Sequence, residues 1–476
     1  MADDPFEQIR QMLSSFLGDE IADQAVNQLR ASGIDPQVLL SGDVSALMAQ
    51  MSPGEKAFME QQMQAMSQPT RDENDEPQAV NWKVVKDLAQ ATTHPHHEPV
   101  LTAARAQQIT SALQVADLWL DVATDIPPAP GPRQAWTRKD WIEHTMPVWQ
   151  VMCEPVAGAA SRALGDAITS MIPNPEDLPD QMAGLGGMGK MMSQGLNQMS
   201  SMIMGAQMGS AVGHLALESI SATDTGLPLN KEPGTALVSA NVAEFADGLE
   251  SDEQEVLMFL AVREAATARL YAHAPWLRAA VVRAVEEYAG QIHVDRESID
   301  EAIRRVDPTD MEAMREAVSG HVFSVGTHSD AEARTQETVA WLLATVEGWV
   351  DEVTAQAVAP HLPHAVALGE MMRRHRASGS AAEKMFASLM GMNFRPAQAR
   401  KAAELWHLLT TAQGVEGRDA YWAHPDVMPT AQEIASPETF LDLRRHATDH
   451  DSEIDAELQS LLDGTLGYEG EADAQD

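Results

Sequence analysis

We predict a mainly α-helical protein with at most a small β element, because helical periodicity dominates the sequence. Apolar residues recur every three to four positions, beginning with Phe6, Ile9, Leu13 and Phe16, and this spacing is typical of amphipathic helices. Only one segment, GTALVSA at residues 234–240, is typical of an extended strand. The β content should therefore be confined to that part of the chain.

Composition divides the chain into a helical module, a linker, a large helical domain and a tail, at residues 1–66, 67–79, 80–462 and 463–476. The linker, SQPTRDENDEPQA, combines proline with charge and lacks large apolar side chains. The tail is acidic and poor in apolar residues, so we expect it to be disordered. A break near residue 225 would divide the large helical domain into lobes of 80–224 and 225–462.

Charge and cysteine content limit the partners and the compartment. The chain carries 71 acidic against 32 basic residues, a formal net charge of −39, which opposes binding to nucleic-acid phosphates and anionic lipid. Its single cysteine, Cys153, excludes an internal disulfide framework. The first residues, MADDPFEQIR, lack the basic and apolar regions of a signal peptide. We therefore expect a cytoplasmic protein without a nucleic-acid partner or a membrane span.

Residues 181–216 are rich in methionine and glycine, a composition found in membrane helices and in closely packed cores. Gly205, Gly209 and Gly213 recur every four residues, which places a smooth stripe on one helix face. Polar residues are scattered through the segment, and its apolar run is too short to span a bilayer. We predict a buried helix packed closely in the domain.

A single acidic residue marks the helix predicted at residues 253–273 as the candidate site. Apolar residues at helical spacing define a core-facing stripe, and Glu264 falls in its middle. A carboxylate there must be paired, protonated or bound to a metal, because an isolated buried charge is costly. From the residues alone, we expect a salt bridge between Glu264 and Arg263 or Arg269.

The same helix contains a degenerate form of a zinc-peptidase motif. An H-E-x-x-H helix binds Zn²⁺ through two histidines four residues apart, with the glutamate as general base. Here the positions are Arg263-Glu264-x-x-Thr267. The base is therefore present, and both imidazoles are replaced.

Several blocks of sequence extend this similarity beyond the motif. They are TDTGLPL, ALVSANVAEFADGL, REAATARLYAHAPWLRAAVVRAVEEYAG, LLATVEGWVDEV, RRHRASGSAAEKMFASLMGMNFRP and GRDAYWAHPDVMPTA. Together they resemble the bacterial zincin-like metallopeptidase family, whose members are described as hydrolases. The resemblance implies a zincin-like helical core with Glu264 as general base, Glu347 as a later acidic ligand, and Arg263 and Thr267 at the imidazole positions. Residues expected to support this site are Asp351, Asn241 and Tyr271.

The residues at these positions are poor ligands for zinc. Catalytic Zn²⁺ takes three protein ligands, mostly histidine nitrogens, whereas Glu264 and Glu347 offer only oxygens. We therefore expect that the protein binds no cofactor. If the family's activity is retained, the expected cofactor is zinc. Our hypothesis is that the Arg263 guanidinium occupies the place of the cation and binds Glu347, Glu264 or both. The alternative is that Arg263 points to solvent.

Other histidines are not expected to replace the missing ligands. His273 follows Thr267 by six residues, so it should lie on nearly the opposite face of the helix. His321 and His328 flank a short segment, and the sequence His94-Pro-His96-His97 is typical of a loop between helices. We interpret all of them as structural or surface residues.

Two further segments have both a functional and a structural interpretation. Residues 234–240 could pair with an extended peptide as an edge strand or serve as a connector, and Asn241 with Glu244 is typical of a helix N-cap. Residues 418–426, RDAYWAHPD, contain an aspartate–histidine pair but no evident nucleophile. We interpret them as a structural clasp.

Three functions remain open from the sequence. The first is a catalytically inactive zincin-like protein that binds a protein or peptide in the former active-site cleft. The second is an intracellular hydrolase with a non-standard metal site that uses Glu264, Glu347 and an unidentified residue. The third is a helical scaffold that binds through its N-terminal module.

Overall fold

The fold is described from a computed structural model of the chain. The structure describes residues 79–96, 98–171, 185–247, 252–291, 330–377, 384, 387 and 398–462. The predicted N-terminal module, most of the predicted linker and the predicted tail lie outside these residues. The described residues that fall within 80–160, 203–293 and 327–476 belong to one compact unit, which includes chain on both sides of residue 225.

The described residues are mainly helical, as predicted. In chain order, the elements are α1 (Trp82–Thr93), α2 (Ala103–Leu120), β1 (Arg133–Trp136), α3 (Arg138–Met171), α4 (Leu185–Glu218), β2 (Thr235–Val238), α5 (Ser239–Ala246), α6 (Glu253–His273), α7 (Pro275–Gln291), α8 (Asp330–Val358), α9 (Ala365–Ala377), α10 (Ala399–Asp419), α11 (Ala431–Ala435) and α12 (Pro437–Leu462). Two short 3₁₀ turns, Ala420–Ala423 and Pro425–Val427, connect α10 to α11.

The predicted extended segment forms β2, which pairs in parallel with β1 so that Trp136 lies opposite Val238. On its other side β2 receives the chain around Ser221, through an antiparallel bridge between Ser221 and Leu237. All four residues of β2 are buried. The edge-strand interpretation is therefore wrong, because both sides of β2 already pair within the protein.

Helix α5 begins earlier than the sequence suggested. It starts at Ser239, so Asn241 lies inside the helix and is not its N-cap. The Asn241 amide instead donates to the carbonyl oxygens of Ala216 and Ser219, at 2.9 and 2.6 Å, and accepts from Arg138 at 2.8 Å. This buried amide satisfies the carbonyls at the end of α4, which the helix itself leaves without partners.

Helix α6 is the centre of the compact unit. Every residue from 256 to 271 is buried, and the helix contacts α2, α5, α7, α8, α9 and β2. The side chain of Asp252 caps its N-terminus by accepting from the Gln254 amide at 3.4 Å. Because the helix is surrounded, polar residues in its middle must find partners inside the protein.

The glycine stripe of α4 lies against α1, which agrees with the close packing that we predicted for this segment. A Cβ atom at Gly209 would lie 2.8 Å from the carbonyl oxygen of Val85, and one at Gly213 would lie 2.6 Å from the Cβ of Thr92. Glycine therefore allows the two helix backbones to approach closely. No helix among the described residues has the length and apolarity needed to cross a bilayer.

Arg418, Asp419 and Trp422 of the C-terminal polar–aromatic cluster are buried, in agreement with its interpretation as a clasp, whereas His424 and Asp426 are exposed. Trp422 stacks on Trp406 with ring centroids 5.2 Å apart. Asp419 accepts from the hydroxyl of Thr124 at 2.5 Å and from the indole of Trp349 at 2.9 Å, and Arg418 donates to the carbonyl of Ala123 at 2.7 Å. These contacts hold the chain after α2 against α8 and α10.

Candidate functional site

Helix α6 places the three residues of the degenerate motif in the protein interior. Arg263, Glu264 and Thr267 are only 6%, 1% and 6% exposed. Arg263 and Thr267 share one face because they are four residues apart. The Thr267 hydroxyl donates to the Arg263 carbonyl at 3.0 Å, so it satisfies its hydrogen bond within its own helix.

The Arg263 guanidinium joins two carboxylates of α8. One nitrogen donates to Glu347 and the other to Asp351, which lie four residues apart and therefore on one helix face. The interaction with Glu347 agrees with our hypothesis, whereas the solvent-facing alternative for Arg263 is wrong. Burial alone would lower the pKa of Arg263, but the two carboxylates outweigh it and raise that pKa above its ordinary value.

A second guanidinium, from Arg376 on α9, reaches the same glutamate. It donates to the other oxygen of Glu347 and lies 3.5 Å from a carboxylate oxygen of Asp224. Asp224 in turn accepts from the backbone amide of Ile220 at 2.9 Å. Sequence analysis assigned no role to Arg376 or Asp224, although both lie in blocks that carry the family resemblance.

Glu264 does not form the salt bridge that we expected from the sequence. One carboxylate oxygen accepts from the hydroxyl and the amide of Thr223, at 2.6 and 3.2 Å, and the other accepts from the amide of Ala236 at 3.0 Å. The predicted salt bridge to Arg263 or Arg269 is wrong. Arg263 binds carboxylates of α8, and Arg269 binds Asp117 and Asp121.

The pKa of Glu264 is set by two opposing effects. Burial raises it to about 7, while the hydrogen bonds from Thr223, Ser221 and Ala236 act in the opposite direction. Removal from water is the larger effect, because no opposite charge among the described residues contacts the carboxylate to stabilise its ionised form. Glu264 therefore titrates near neutrality. Its hydrogen bonds also connect α6 to Ala236 in β2 and to Thr223, which precedes β2 in the chain.

A small cavity lies between these groups. Its volume is about 20 Å³, and the polar residues that line it include Thr223, Asp224, Arg263, Glu264, Thr267 and Arg376. This volume is enough for roughly one water molecule. The cavity brings together the motif residues of α6, the chain before β2 and the end of α9.

The remaining predicted residues surround this centre without lining the cavity. Tyr271 is buried and donates to the carbonyl of Gly226 at 2.7 Å, which fixes the turn after Asp224. Asn241 joins α4 to α5, as described above. His273 is exposed and contacts the carbonyl of Arg269 at 3.0 Å, in agreement with its expected position away from Thr267. His321 and His328 lie outside the described residues.

The residues present do not fit a catalytic zinc ion. In the described part of the chain, His, Cys, Asp and Glu side chains form no group of three or more that could hold a metal. Both oxygens of Glu347 receive guanidinium groups, and both oxygens of Glu264 receive N–H or O–H donors. A dication would have to displace these donors and lie beside two permanent positive charges.

Comparisons with known proteins agree with the motif and the fold. The zincin-like metallopeptidase family matches residues 80–441, so the chain belongs to that family. The fold is similar to the crystal structure of a "putative hydrolase with a novel fold" from Chloroflexus aurantiacus, with a TM-score of 0.51 and 16% identity over 77% of this chain and 99% of that chain. This likeness concerns the fold alone. Among curated proteins, none matches the chain.

Proposed function

We propose that this protein is a non-catalytic member of the zincin-like metallopeptidase family that acts by binding a protein or a peptide. The observation that carries the proposal is the contact of Arg263 with Glu347. In the family pattern, these two positions would supply a metal ligand each. Here Arg263 supplies a positive charge, and Glu347 supplies the carboxylate that neutralises it.

The surroundings of Glu264 support the same proposal. A general base must reach the proton that it removes, but both oxygens of Glu264 are occupied by donors from Thr223 and Ala236. The side chain is 1% exposed. Its hydrogen bonds make it a structural link between α6 and β2.

The size of the cavity and the net charge suggest how such a partner would bind. The cavity beside Arg263, about 20 Å³, has room for roughly one water molecule, so we expect a partner to contact the residues at its rim. The net charge of −39 favours a partner segment with positive charge.

Metal analysis of the purified, untagged protein tests the proposal. We expect zinc far below one ion per chain, and no peptide hydrolysis when zinc is supplied. The matched control is Glu264→Gln, which should be indistinguishable from the wild type in both measurements. Stoichiometric zinc, together with hydrolysis that this substitution abolishes, would contradict the proposal.

One observation favours an active hydrolase as a second candidate. The pKa of about 7 suits Glu264 to proton transfer at neutral pH. This candidate requires Thr223 and Ala236 to release the carboxylate when a substrate binds. Hydrolytic activity with a pH midpoint near 7, lost in Glu264→Gln, would support it over the first.

A further inference from the structure

Glu347 lies between two guanidinium groups that come from different helices. Arg263 of α6 binds one of its oxygens and Arg376 of α9 binds the other. Arg263 also binds Asp351, and Arg376 lies 3.5 Å from Asp224. Two positive charges and three carboxylates therefore share one largely buried network.

We propose that Arg263 and Arg376 together replace the zinc dication of the family, each supplying one positive charge to Glu347. The inference rests on the proposed function and adds to it a second residue, Arg376. It implies that restoring the two histidines of the motif is not enough to restore a zinc site. The Arg376 charge must be removed as well.

Two arginines neutralise more of this carboxylate cluster than one, and they leave one net negative charge. With Arg263 alone, the carboxylates of Glu347, Asp351 and Asp224 would leave two uncompensated negative charges in surroundings that are 9–15% exposed. Such charges are costly away from water. Arg376 neutralises one of these negative charges. It does so by binding Glu347, which Arg263 also binds.

The direction of Arg376 distinguishes it from its neighbours on α9. Arg373 and Arg374 pair with Glu370 on the surface of their own helix, with side chains 43% and 72% exposed. The Arg376 side chain is 20% exposed and crosses to α8. Its Nε atom is buried without a hydrogen-bond partner within the described structure, so the terminal nitrogens that meet the carboxylates determine its placement.

Zinc binding by designed variants tests the inference. The base variant is Arg263→His with Thr267→His, which restores H-E-x-x-H with Glu347 available. Adding Arg376→Met should raise the zinc affinity at least about tenfold, because a positive charge within a few ångströms of the cation is removed. The matched control adds Arg374→Met to the same base variant and should leave the affinity unchanged.

The affinities can be measured by competition with a chromophoric chelator, and the stoichiometry by elemental analysis. We expect about one zinc per chain only in the variant with Arg376→Met. Equal zinc binding with and without Arg376→Met would overturn the inference.

A stability measurement tests the same inference even if the designed variants do not fold well enough to bind metal. In the otherwise unchanged protein, Arg376→Met should lower the urea midpoint of unfolding, whereas Arg374→Met should not. Glu347→Gln should then cost less stability in the Arg376→Met background than in the wild type, because the residues interact directly. Equal midpoints for Arg376→Met and Arg374→Met would reject the inference.

The two proposals fail in different ways. Stoichiometric zinc in the wild type would contradict the non-catalytic function itself. A wild type free of zinc, combined with no effect of Arg376→Met in either experiment, would contradict only the role assigned to Arg376.

Discussion

Arg263 donates to Glu347, a residue 84 positions later in the chain, and this contact joins the central helix α6 to α8. By the family resemblance, the arginine is expected at the first imidazole position of the motif and the glutamate at its later acidic position. A covalently attached cation thus lies beside the carboxylate to which the family resemblance assigns metal binding. This arrangement leads to the following predictions.

Replacing Arg263 should destabilise the protein strongly. Arg263→Met would leave Glu347 and Asp351 without that partner in a largely buried environment, and breaking a buried pair costs about 3–5 kcal/mol. Arg263→Lys should recover only part of this loss, because one ammonium group cannot reproduce the planar fork. Urea unfolding measures both effects.

The control for these variants is Arg283→Met, at an exposed position of α7. It should leave the midpoint almost unchanged. A midpoint for Arg263→Met equal to that of Arg283→Met would show that the buried network contributes little to stability.

Glu264 should make stability depend on pH between about 5 and 7. Its folded pKa of about 7 lies above the ordinary value of 4.5, so the folded state binds the proton more tightly than the unfolded state. Its contribution to stability is complete below pH 4.5 and is lost as the pH rises to 7, a change of roughly 3 kcal/mol. The free energy of unfolding of the wild type minus that of Glu264→Gln should fall by this amount.

Measuring the difference between the two proteins cancels the contributions of nearby charged groups, among them Asp224, Arg263 and Arg376. Glu433→Gln provides a flat control over pH 5–8. Burial raises the pKa of Glu433, but hydrogen bonds from Arg444 and Thr430 outweigh it and lower the pKa below 4.5. A difference for Glu264→Gln that does not change with pH would contradict the titration near neutrality.

The contact between α1 and α4 should not tolerate a methyl group. Gly209→Ala would place a Cβ atom 2.8 Å from the Val85 carbonyl oxygen and 2.9 Å from the Cβ of Leu88, and such overpacking costs about 1–3 kcal/mol. Gly290→Ala on α7 is the matched control, since nothing lies within 4 Å of its Cβ position. This second substitution should stabilise the protein by roughly 0.5–1 kcal/mol. Thermal unfolding that shifts equally in both variants would refute the close approach.

The clasp around Asp419 should be essential to the fold. Asp419→Ala removes the acceptor for Thr124 and Trp349 and leaves the fully buried Arg418 without its carboxylate. We expect a loss of about 3–5 kcal/mol by urea unfolding. Asp442→Ala, at a surface pair in which the aspartate side chain is 70% exposed, should cost less than about 1 kcal/mol. Similar losses in the two variants would disprove the structural role of the cluster.

Local patterns in the sequence were enough to predict the class of fold and the helix that carries the candidate site. Helical periodicity, the extended segment at 234–240 and the glycine stripe of α4 each depend on residues close together in the chain. The degenerate motif also located Arg263, Glu264 and Thr267 on one helix. The spacing of these residues alone could not distinguish which carboxylate each arginine would bind.

Only the tertiary structure decided how the polar groups of the site are paired. Glu264 meets Thr223 and Ala236, and Glu347 meets Arg376, because separate elements converge on α6. These choices depend on which donors the burial of α6 brings within about 3 Å of each carboxylate. Periodicity reports which face of a helix is buried, whereas the partners of a buried charge are determined by packing between segments far apart in the chain.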